Sequence, residues 1–230
     1  MALRGTAFIS IWHDLADGYA QQFERWHTEE HMPERLGVPG FLRGRRYINW
    51  EQSPHVCFTL YELAHLETFR SPGYLARLNA PTEWSNQVQP GMTNFLRGVC
   101  ETQLSAGLGT SGALATFRIR RSAQRTAAVN GRVDPAFDLQ AVAVSVRSIG
   151  GIVAAHLGAH RLAWANATTG ETELRPPPSE EAFEHVLLVE AIDLATLKRE
   201  HAAIEQRLRD AGASHIESGC YQLGYELSAP

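Results

Sequence analysis

Apolar and polar positions along the chain follow two periods, and the two periods succeed one another in a repeating order. Short β-prone runs with a period of two predict strands, and longer stretches with apolar residues three or four apart predict helices. In the first half, these patterns predict strands over 6–13, 41–50, 55–63 and 94–104, and helices over 19–36 and 65–78. Pro33 is expected to end or kink the first helix just after His31. The order is strand, helix, strand, strand, helix, strand.

The second half repeats this order. Strands are predicted over 113–120, 152–165, 184–192 and 215–227, and helices over 134–148 and 194–211. Asp134 and Pro135 form a suitable N-cap and first-turn pair, and 166–179, which contains three consecutive prolines, is predicted to be a long turn. We therefore divide the chain into a first half, 1–105, a glycine-rich connector, 106–112, and a second half, 113–230.

A βαββαβ unit forms a four-stranded antiparallel sheet with both helices on one face. The other face is left uncovered and needs a partner, and a tandem copy in the same chain is the simplest one. The predicted fold class is α+β, with two tandem ferredoxin-like βαββαβ halves whose antiparallel sheets pack into an intramolecular α/β barrel. Fourteen of the twenty aromatic residues lie in 1–105. This bias favours a functional site in the first half and a mainly structural second half.

Composition narrows the range of partners. The net charge of −4 gives no general attraction to nucleic acid, and no long apolar segment or leader is evident, so we expect neither nucleic acid nor membrane as a partner and a cytoplasmic location. Three cysteines without a CxxC pair are typical of reduced thiols. Lys198 is the single lysine among 21 basic residues, which disfavours amine chemistry.

The densest group of reactive side chains is Trp26-His27-Thr28-Glu29-Glu30-His31-Met32-Pro33-Glu34-Arg35. His27 and His31 share a helix face and could chelate a metal, but no third ligand stands at a recognisable spacing and the motif is not HExxH, so no metal is predicted. The alternative is acid/base chemistry, because histidine titrates near neutral pH. We assign this role to His31 and place His27 and the glutamates on the solvated face of the helix.

Strand alternation suggests which residues meet His31. Arg43, Arg45 and Tyr47 share one face of the second strand. Arginines inside a barrel need an anionic partner, either a protein carboxylate such as Glu62 or Glu101 or a ligand carboxylate, unless they form a solvated edge. The remaining candidate lining residues lie on the first helix and on the first and third strands: Trp12, His13, Trp26 and Tyr61.

The segment WHTEEHMPERLGVPGFLRGRRY, residues 26–47, resembles the dimeric α/β barrel superfamily of ferredoxin-like proteins. The likeness is greatest to the EthD-like and related uncharacterised families, which carry a W/Y-H-x-x-E-H-x-P motif at the end of helix one, and the match covers about 19–63. The resemblance implies a cavity between sheet and helices, with His31 facing it and Glu30 and Arg35 as neighbours. It implies function only loosely, because the superfamily contains isomerases, monooxygenases, lyases and haem proteins.

The leading functional hypothesis is a cofactor-independent enzyme that acts by acid/base chemistry, of isomerase or lyase type, on a small aromatic or lactone-like, carboxylated molecule. His31 is the acid/base, Arg43 or Arg45 clamps the anion, Tyr47, Tyr61, Trp12 and Trp26 form the walls, and His13 is a secondary candidate. No nucleotide-binding motif is present, so no cofactor is predicted. A non-catalytic ligand-binding or structural protein and a haem-type oxidoreductase or monooxygenase are the alternatives, and a homodimer of tandem chains is left open.

Overall fold

The structure is a computed structural model that describes residues 3–52, 54–121, 137–165, 169–175 and 183–230. Its strands are β1 (Ala7–Leu15), β2 (Phe41–Ile48), β3 (Cys57–Leu63), β4 (Met92–Gly107), β5 (Ala113–Arg121), β6 (Ile152–His160), β7 (His185–Ala191) and β8 (Ala213–Ser228). Its α-helices are α1 (Ala20–Trp26), α2 (Met32–Leu36), α3 (Pro72–Asn79), α4 (Glu83–Val88), α5 (Leu139–Val146), α6 (Leu162–Ala165), α7 (Gly170–Glu173) and α8 (Leu194–Asp210). The predicted N-cap at Asp134 and Pro135 and the prolines 176–178 lie outside the described residues.

The chain divides into two compact units that we treat separately. The N-terminal unit comprises Arg4–Glu101 and Leu223–Pro230 with the described part of Arg161–Ala182. The C-terminal unit comprises Leu3, Phe183–Gln222 and the described part of Thr102–His160. These units interleave along the chain, whereas the divisions predicted from sequence are continuous.

Each unit has the ferredoxin-like strand order. The order is β4-β1-β3-β2 in the N-terminal unit and β6-β7-β5-β8 in the C-terminal unit, and the neighbouring strands are antiparallel. Strands β4 and β8 are long, at 16 residues each, and each contributes one part to either unit. The hydrogen-bonded strand order therefore closes on itself as an eight-stranded antiparallel barrel, and the predicted fold class is confirmed.

The first helical segment reaches Leu36, as in the predicted range 19–36, but it contains a π turn that the sequence pattern did not indicate. Between α1 and α2, residues His27–His31 form a wide π turn, in which the Met32 N–H donates to the His27 carbonyl. A proline within a helix removes one N–H and crowds the carbonyl four residues earlier. A wide turn directly before Pro33 accommodates that loss without ending the helix, and such turns are frequent at functional sites.

Two other helical segments also differ from the sequence pattern. The 65–78 helix is instead a 3-10 turn, Leu66–Arg70, followed by α3, because Ser71 caps α3 and Pro72 begins it. The strand predicted over 152–165 ends at His160 and is followed by α6, and the segment predicted as a long turn, 166–179, contains α7 among its described residues. The longest helix, α8, has 17 residues and is amphipathic. No helix in the described part of the chain has the length and apolar character needed to span a bilayer.

Both units bury a glutamate at the same place in the third strand of the sheet. Glu62 and Glu190 are each fully buried and lie opposite a β-bulge in the neighbouring strand, at Phe41/Arg43 and Ile152/Ala154 respectively. Glu62 accepts hydrogen bonds from Arg43 at 2.7–3.0 Å and pairs with Arg45. Glu190 pairs instead with His156. The internal repeat thus extends to the buried glutamate, whose partners are arginines in one copy and a histidine in the other.

Candidate functional site

A small cavity lies between the sheet of the N-terminal unit and the helical segment that follows β1. The cavity volume is about 20 Å³, which is room for about one water molecule. The lining residues are Ile11, His13, Trp26, His27, His31, Thr59, Tyr61, Met92, Phe95 and Arg175. All of them except Arg175 come from the first 105 residues.

The local structure explains how these side chains come together. Strand alternation turns Ile11 and His13 of β1, and Thr59 and Tyr61 of β3, toward the same face of the sheet. The π turn carries His27 and His31 on the helix side, with their ring centroids 5.6 Å apart. The strand side chains and the two histidine rings therefore face each other across the cavity between sheet and helix.

His27 has a defined tautomer. Arg46 donates from Nη1 to His27 Nδ1 at 3.4 Å, and a guanidinium has only donors, so Nδ1 must be the bare nitrogen. The Nε2–H of His27 then points to the Tyr61 hydroxyl oxygen at 3.3 Å. Burial, and then the positive charge of Arg46, hold the pKa of His27 well below its usual value. The Tyr61 hydroxyl proton is consequently directed away from His27.

His13 is held in the form of a proton acceptor. Its Nδ1 lies 3.0 Å from the Asp14 carbonyl, which can only accept, so Nδ1 carries the proton and Nε2 carries the lone pair. Burial lowers the pKa of His13 to about 4. The ring packs edge-on against Phe23 with a centroid separation of 4.8 Å. His13 is thus a neutral base at neutral pH.

His31 lies against the indole of Trp26, with ring centroids 4.3 Å apart. The Trp26 Nε1–H donates to Glu30 at 3.2 Å and to Ser85 at 3.3 Å, which fixes the indole as a wall. Burial, followed by the charge of Arg35, lowers the pKa of His31 well below the ordinary range. His31 is therefore also neutral near pH 7. In this form it can act as a base and accept a proton from an acidic group.

Arg175 supplies the positive charge at the cavity. Its guanidinium lies 4.2 Å from the ring centroid of Phe95 and donates from Nη2 to Glu171 at 2.9 Å. Arg35 donates to the other Glu171 oxygen, so one buried carboxylate is shared by two guanidinium groups. Burial lowers the pKa of Arg175 to about 10, which still leaves it protonated at neutral pH. Glu34 also pairs with Arg35, so Arg175 is the guanidinium of this group that lines the cavity, while Arg35 is held between two carboxylates.

Polar atoms without partners mark the cavity as a binding site. Within the described residues, four lining side chains have a buried polar atom with no hydrogen-bond partner: Nε2 of His13, Nδ1 of His31, Oγ1 of Thr59 and Nε of Arg175. Buried polar groups are normally hydrogen-bonded, and an unpaired one costs about 1–3 kcal/mol. Their concentration around one space indicates that water or a polar ligand completes them.

The same cluster could be considered as a metal centre, because ligand atoms of His31, Glu34 and Glu171 lie within 4.8 Å of one another. These residues do not fit a divalent cation. Both oxygens of Glu171 already accept from Arg35 and Arg175, and Glu34 pairs with Arg35 at 3.3 Å. Two guanidinium groups would repel the ion that the carboxylates attract.

A haem also does not fit this cavity. Trp26 and His31 lie ring against ring, and the His27 ring is close to both, so no flat macrocycle can enter between a histidine and the opposite wall. Of the two histidines in the apolar stretch of β6, His156 has both ring nitrogens hydrogen-bonded. His160 donates from Nδ1 to the Phe183 carbonyl at 2.9 Å and stacks on the Phe183 ring.

The structure brings only some of the sequence-predicted residues together. His31, His13, Trp26 and Tyr61 line the cavity. Trp12, Arg43, Arg45 and Tyr47 lie on the opposite face of the sheet, where Trp12 packs on Phe58 with centroids 5.1 Å apart. Arg45 there donates to the Tyr47 hydroxyl at 2.8 Å. The carboxylate partner expected for Arg43 and Arg45 is Glu62, so these arginines do not reach His31.

Sequence reasoning missed three features of the site. His27 was expected on the solvated helix face, but only 3% of it is exposed, because the wide turn rotates it toward the sheet. Arg46 approaches the histidines instead of Arg45, as strand alternation allows for the residue on the opposite face. Arg175 had no local signal, since it reaches the cavity from a segment far along the chain.

Comparisons with known proteins place the fold. No protein-family profile matches the chain, and no curated protein sequence matches it. An anthrone oxidase-like protein of known structure aligns with 98% of this chain and 94% of its own, at 11% identity and a TM-score of 0.62. A protein described as a putative monooxygenase, from Fusobacterium nucleatum subsp. nucleatum ATCC 25586, aligns over 97% and 95% at 11% identity and a TM-score of 0.56.

A mutant chlorite dismutase from Candidatus Nitrospira defluvii aligns with 96% of this chain and 92% of its own, at 11% identity and a TM-score of 0.57. Identities this low establish a common fold and leave activity open. The near-complete coverage shows that the likeness extends through both halves of the chain. The protein therefore has the dimeric α/β barrel fold, built within one chain from two ferredoxin-like halves.

Proposed function

We propose that the cavity of the N-terminal unit is the site of a cofactor-independent acid/base enzyme. Its substrate is a small aromatic or lactone-like molecule with an acidic proton and an anionic or strongly polar oxygen. The observation that carries this proposal is the group of four unpaired buried polar atoms, which belong to two neutral imidazoles, a hydroxyl and a guanidinium. A base, a donor and a fixed positive charge around one space are the parts that proton abstraction needs.

His31 acts as the general base in this proposal. Its Nδ1 is unpaired and buried, and the lowered pKa keeps the ring unprotonated until substrate arrives. An anionic group bound beside the ring raises its proton affinity, because opposite charges stabilise each other strongly where water is excluded. The base therefore becomes effective only when the correct ligand occupies the cavity.

Arg175 stabilises the oxyanion that forms when the proton leaves. Its Nε has no partner, and its Nη2 donates to Glu171 at 2.9 Å, which holds the guanidinium in place. A preorganised donor of this kind acts without reorganisation during the reaction. The Tyr61 hydroxyl, freed by the tautomer of His27, is a second donor on the same wall. Arg175 thus takes the anion-clamping role first assigned to Arg43 or Arg45.

The walls limit the substrate to a small ring. Trp26, Tyr61 and Phe95 supply flat apolar surface around the cavity, and a ring that enters must displace these side chains, because the enclosed volume is only about 20 Å³. Aromatic substrates stack favourably on such surfaces. An enolisable or phenolic compound with a single ring matches the polar groups and the aromatic walls.

A second candidate reaction starts from the same proton transfer. Deprotonation of a carbon acid by His31 gives an electron-rich carbanion. If this carbanion gives electrons to dioxygen, the product is oxidised and the dioxygen is reduced. The names of two fold neighbours, a putative monooxygenase and an anthrone oxidase-like protein, favour this outcome over simple isomerisation. The same residues act in isomerisation and in oxidation, so the test must be run both with and without dioxygen.

The test combines binding with turnover. We would screen small phenols, enolisable lactones and their carboxylated analogues by thermal shift, and then follow any stabilising compound by mass spectrometry under air and under nitrogen. His31→Ala and Arg175→Gln are expected to lose turnover while circular dichroism stays unchanged. His65→Ala, which alters an exposed histidine outside the cavity, should retain full activity.

The outcomes separate the alternatives. Turnover that survives His31→Ala contradicts the assigned base, and stabilisation without any turnover indicates a binding protein instead of an enzyme. Absence of any cavity-dependent stabilisation rejects the site itself. A Soret band in the purified protein would establish a haem protein and overturn the cofactor-independent proposal.

A further inference from the structure

A hydrogen-bonded group of serine, histidine and glutamate lies in the C-terminal unit, whereas the cavity described above lies in the N-terminal unit. The Ser105 hydroxyl lies 2.9 Å from His156 Nδ1, and His156 Nε2 lies 3.3 Å from Glu190 Oε1. The second oxygen of Glu190 accepts from the Ser111 N–H at 2.8 Å. Three adjacent strands, β4, β6 and β7, therefore contribute one side chain each.

The direction of these hydrogen bonds follows from the chemistry of the groups. The Glu190 carboxylate can only accept, so the proton on a neutral His156 lies on Nε2. Nδ1 is then bare and accepts the Ser105 O–H. This arrangement is the one in which a histidine removes the proton of a serine nucleophile while a carboxylate fixes the tautomer.

Of these three side chains, the serine is the one that is exposed to solvent. His156 and Glu190 are fully buried, whereas Ser105 is partly exposed. Ser105 lies near the end of β4, two residues before the glycine-rich turn that leads into β5. Leu108 in this turn is 90% exposed, and no atom lies within 4 Å of a Cβ placed on Gly109 or Gly112. The nucleophile is thus the member of the group that a reagent can reach.

The other copy of the fold shows what is unusual here. At the same position relative to the buried glutamate, the N-terminal unit has Arg45, which pairs with Glu62. An arginine remains protonated and cannot accept a proton, so that pair can only be structural. Histidine at this place converts a fixed ion pair into a group that can take a proton from Ser105.

We propose that Ser105, His156 and Glu190 form a second reactive site that accepts acyl groups from small activated esters. Ser105 Oγ attacks the ester carbonyl, its proton passes to His156 Nδ1, and the leaving alcoholate departs with that proton as the alcohol. Water then attacks the acyl-serine with the same histidine as base, which releases the carboxylic acid and restores the serine. Small esters are specified because Ser105 is only partly exposed. This inference does not depend on the proposed function of the cavity.

The test uses p-nitrophenyl acetate and the full-length protein. We expect a burst of p-nitrophenolate and an acetyl group on the peptide that contains Ser105, located by peptide mass spectrometry. Ser105→Ala should reduce the burst at least about tenfold, and Glu190→Gln should do the same because the histidine loses its fixed tautomer. Ser145→Ala is the matched control, since this partly buried serine of the same unit donates to the Val142 carbonyl. Its burst should equal that of the unchanged protein.

Other nucleophiles are separated by the peptide map, because Lys198 is the single lysine of the chain. Acetyl groups confined to Lys198 or the N-terminus, with Ser105 unmodified, would overturn the proposal. An undiminished burst in Ser105→Ala would do so as well. If Glu190→Gln does not fold, labelling of the unchanged protein and Ser105→Ala by a fluorophosphonate decides the matter, since equal labelling of both assigns the three residues a structural role only.

Discussion

The buried ion pair of the N-terminal unit provides a sharp test of how the sheet is stabilised. Glu62 is fully buried and accepts from two arginines and from the backbone N–H of Arg4 at 2.8 Å. The perturbation is Glu62→Gln, which preserves the size of the side chain. Glutamine keeps one acceptor oxygen but replaces the other with an NH₂ group, whose donors then face the donors of Arg43 and Arg45.

The magnitude follows from what the substitution leaves behind. Arg43 and Arg45 remain charged and nearly or completely buried, with 6% and 0% of their side chains exposed. Removing one partner of a buried pair typically costs about 3–5 kcal/mol, because the other charge is uncompensated. For a chain of this length, with a shift of about 2–4 °C per kcal/mol, the midpoint of thermal unfolding should fall by about 6–20 °C.

The second half of the chain offers a matched control. Glu190→Gln makes the same substitution at the same place in the sheet, but its partner is His156 and not a pair of arginines, so no permanently charged guanidinium is left without its carboxylate. Its cost should be about 1–3 kcal/mol, the typical penalty for an unpaired buried polar group. Urea unfolding followed by circular dichroism measures both variants. If Glu62→Gln costs no more than Glu190→Gln, the reasoning from uncompensated arginine charge is refuted.

Three further predictions concern other parts of the chain. Burial lowers the pKa of His13 to about 4 from about 6.5 in the unfolded chain, so the unfolded state binds the proton first and stability is lost as the pH falls from about 6.5 to 4, by about 3 kcal/mol. In His13→Phe, the pH dependence of the urea midpoint across that range should decrease by the equivalent of one bound proton. An unchanged pH dependence would contradict the assignment. Gly5→Ala should cost at least about 1 kcal/mol more than Gly18→Ala, because both have positive φ but only at Gly5 would a Cβ meet backbone, 1.9 Å from the Leu63 oxygen; equal unfolding midpoints would argue against that crowding. Burial raises the pKa of three thiols, those of Cys57 (to about 12), Cys220 (to about 11) and Cys100. A thiolate-specific reagent at pH 8 should therefore modify none of them in the native protein and all three after denaturation. Rapid reaction of the native protein would show that a thiol is accessible.

Hydrophobic periodicity predicted the order of strands and helices because each element buries one face, and burial leaves a period in the sequence. The strands begin and end within a few residues of the predicted bounds, and β6 ends earlier than expected at His160. The order alone was sufficient to indicate two ferredoxin-like halves. The open face of each sheet must be covered, and the second copy of the unit can cover it.

The candidate site was only partly predictable, because its geometry depends on irregular features. Simple alternation put Phe41 and Arg43 on one face of β2, but the bulge between them separates the two. Phe41 packs on Tyr61 and Tyr74, with centroids 5.8 and 5.1 Å away, while Arg43 reaches Glu62 on the other face. Bulges and π turns add a residue without a compositional signature, so residues beyond them are assigned to the wrong side.

Comparison of the two copies explains how one fold supports different chemistry on its buried faces. Each copy keeps the glutamate opposite the bulge, because a carboxylate buried there must retain a partner of opposite charge or a hydrogen-bond donor. Arg45 satisfies that requirement permanently, and two arginines around Glu62 make the first copy rigid and unreactive on this face. His156 satisfies it while keeping a nitrogen for Ser105. In the first copy the reactive imidazoles lie instead on the helix face, where the π turn and Arg175 assemble the cavity. The histidines with candidate reactivity therefore lie on opposite faces of the sheet in the two copies.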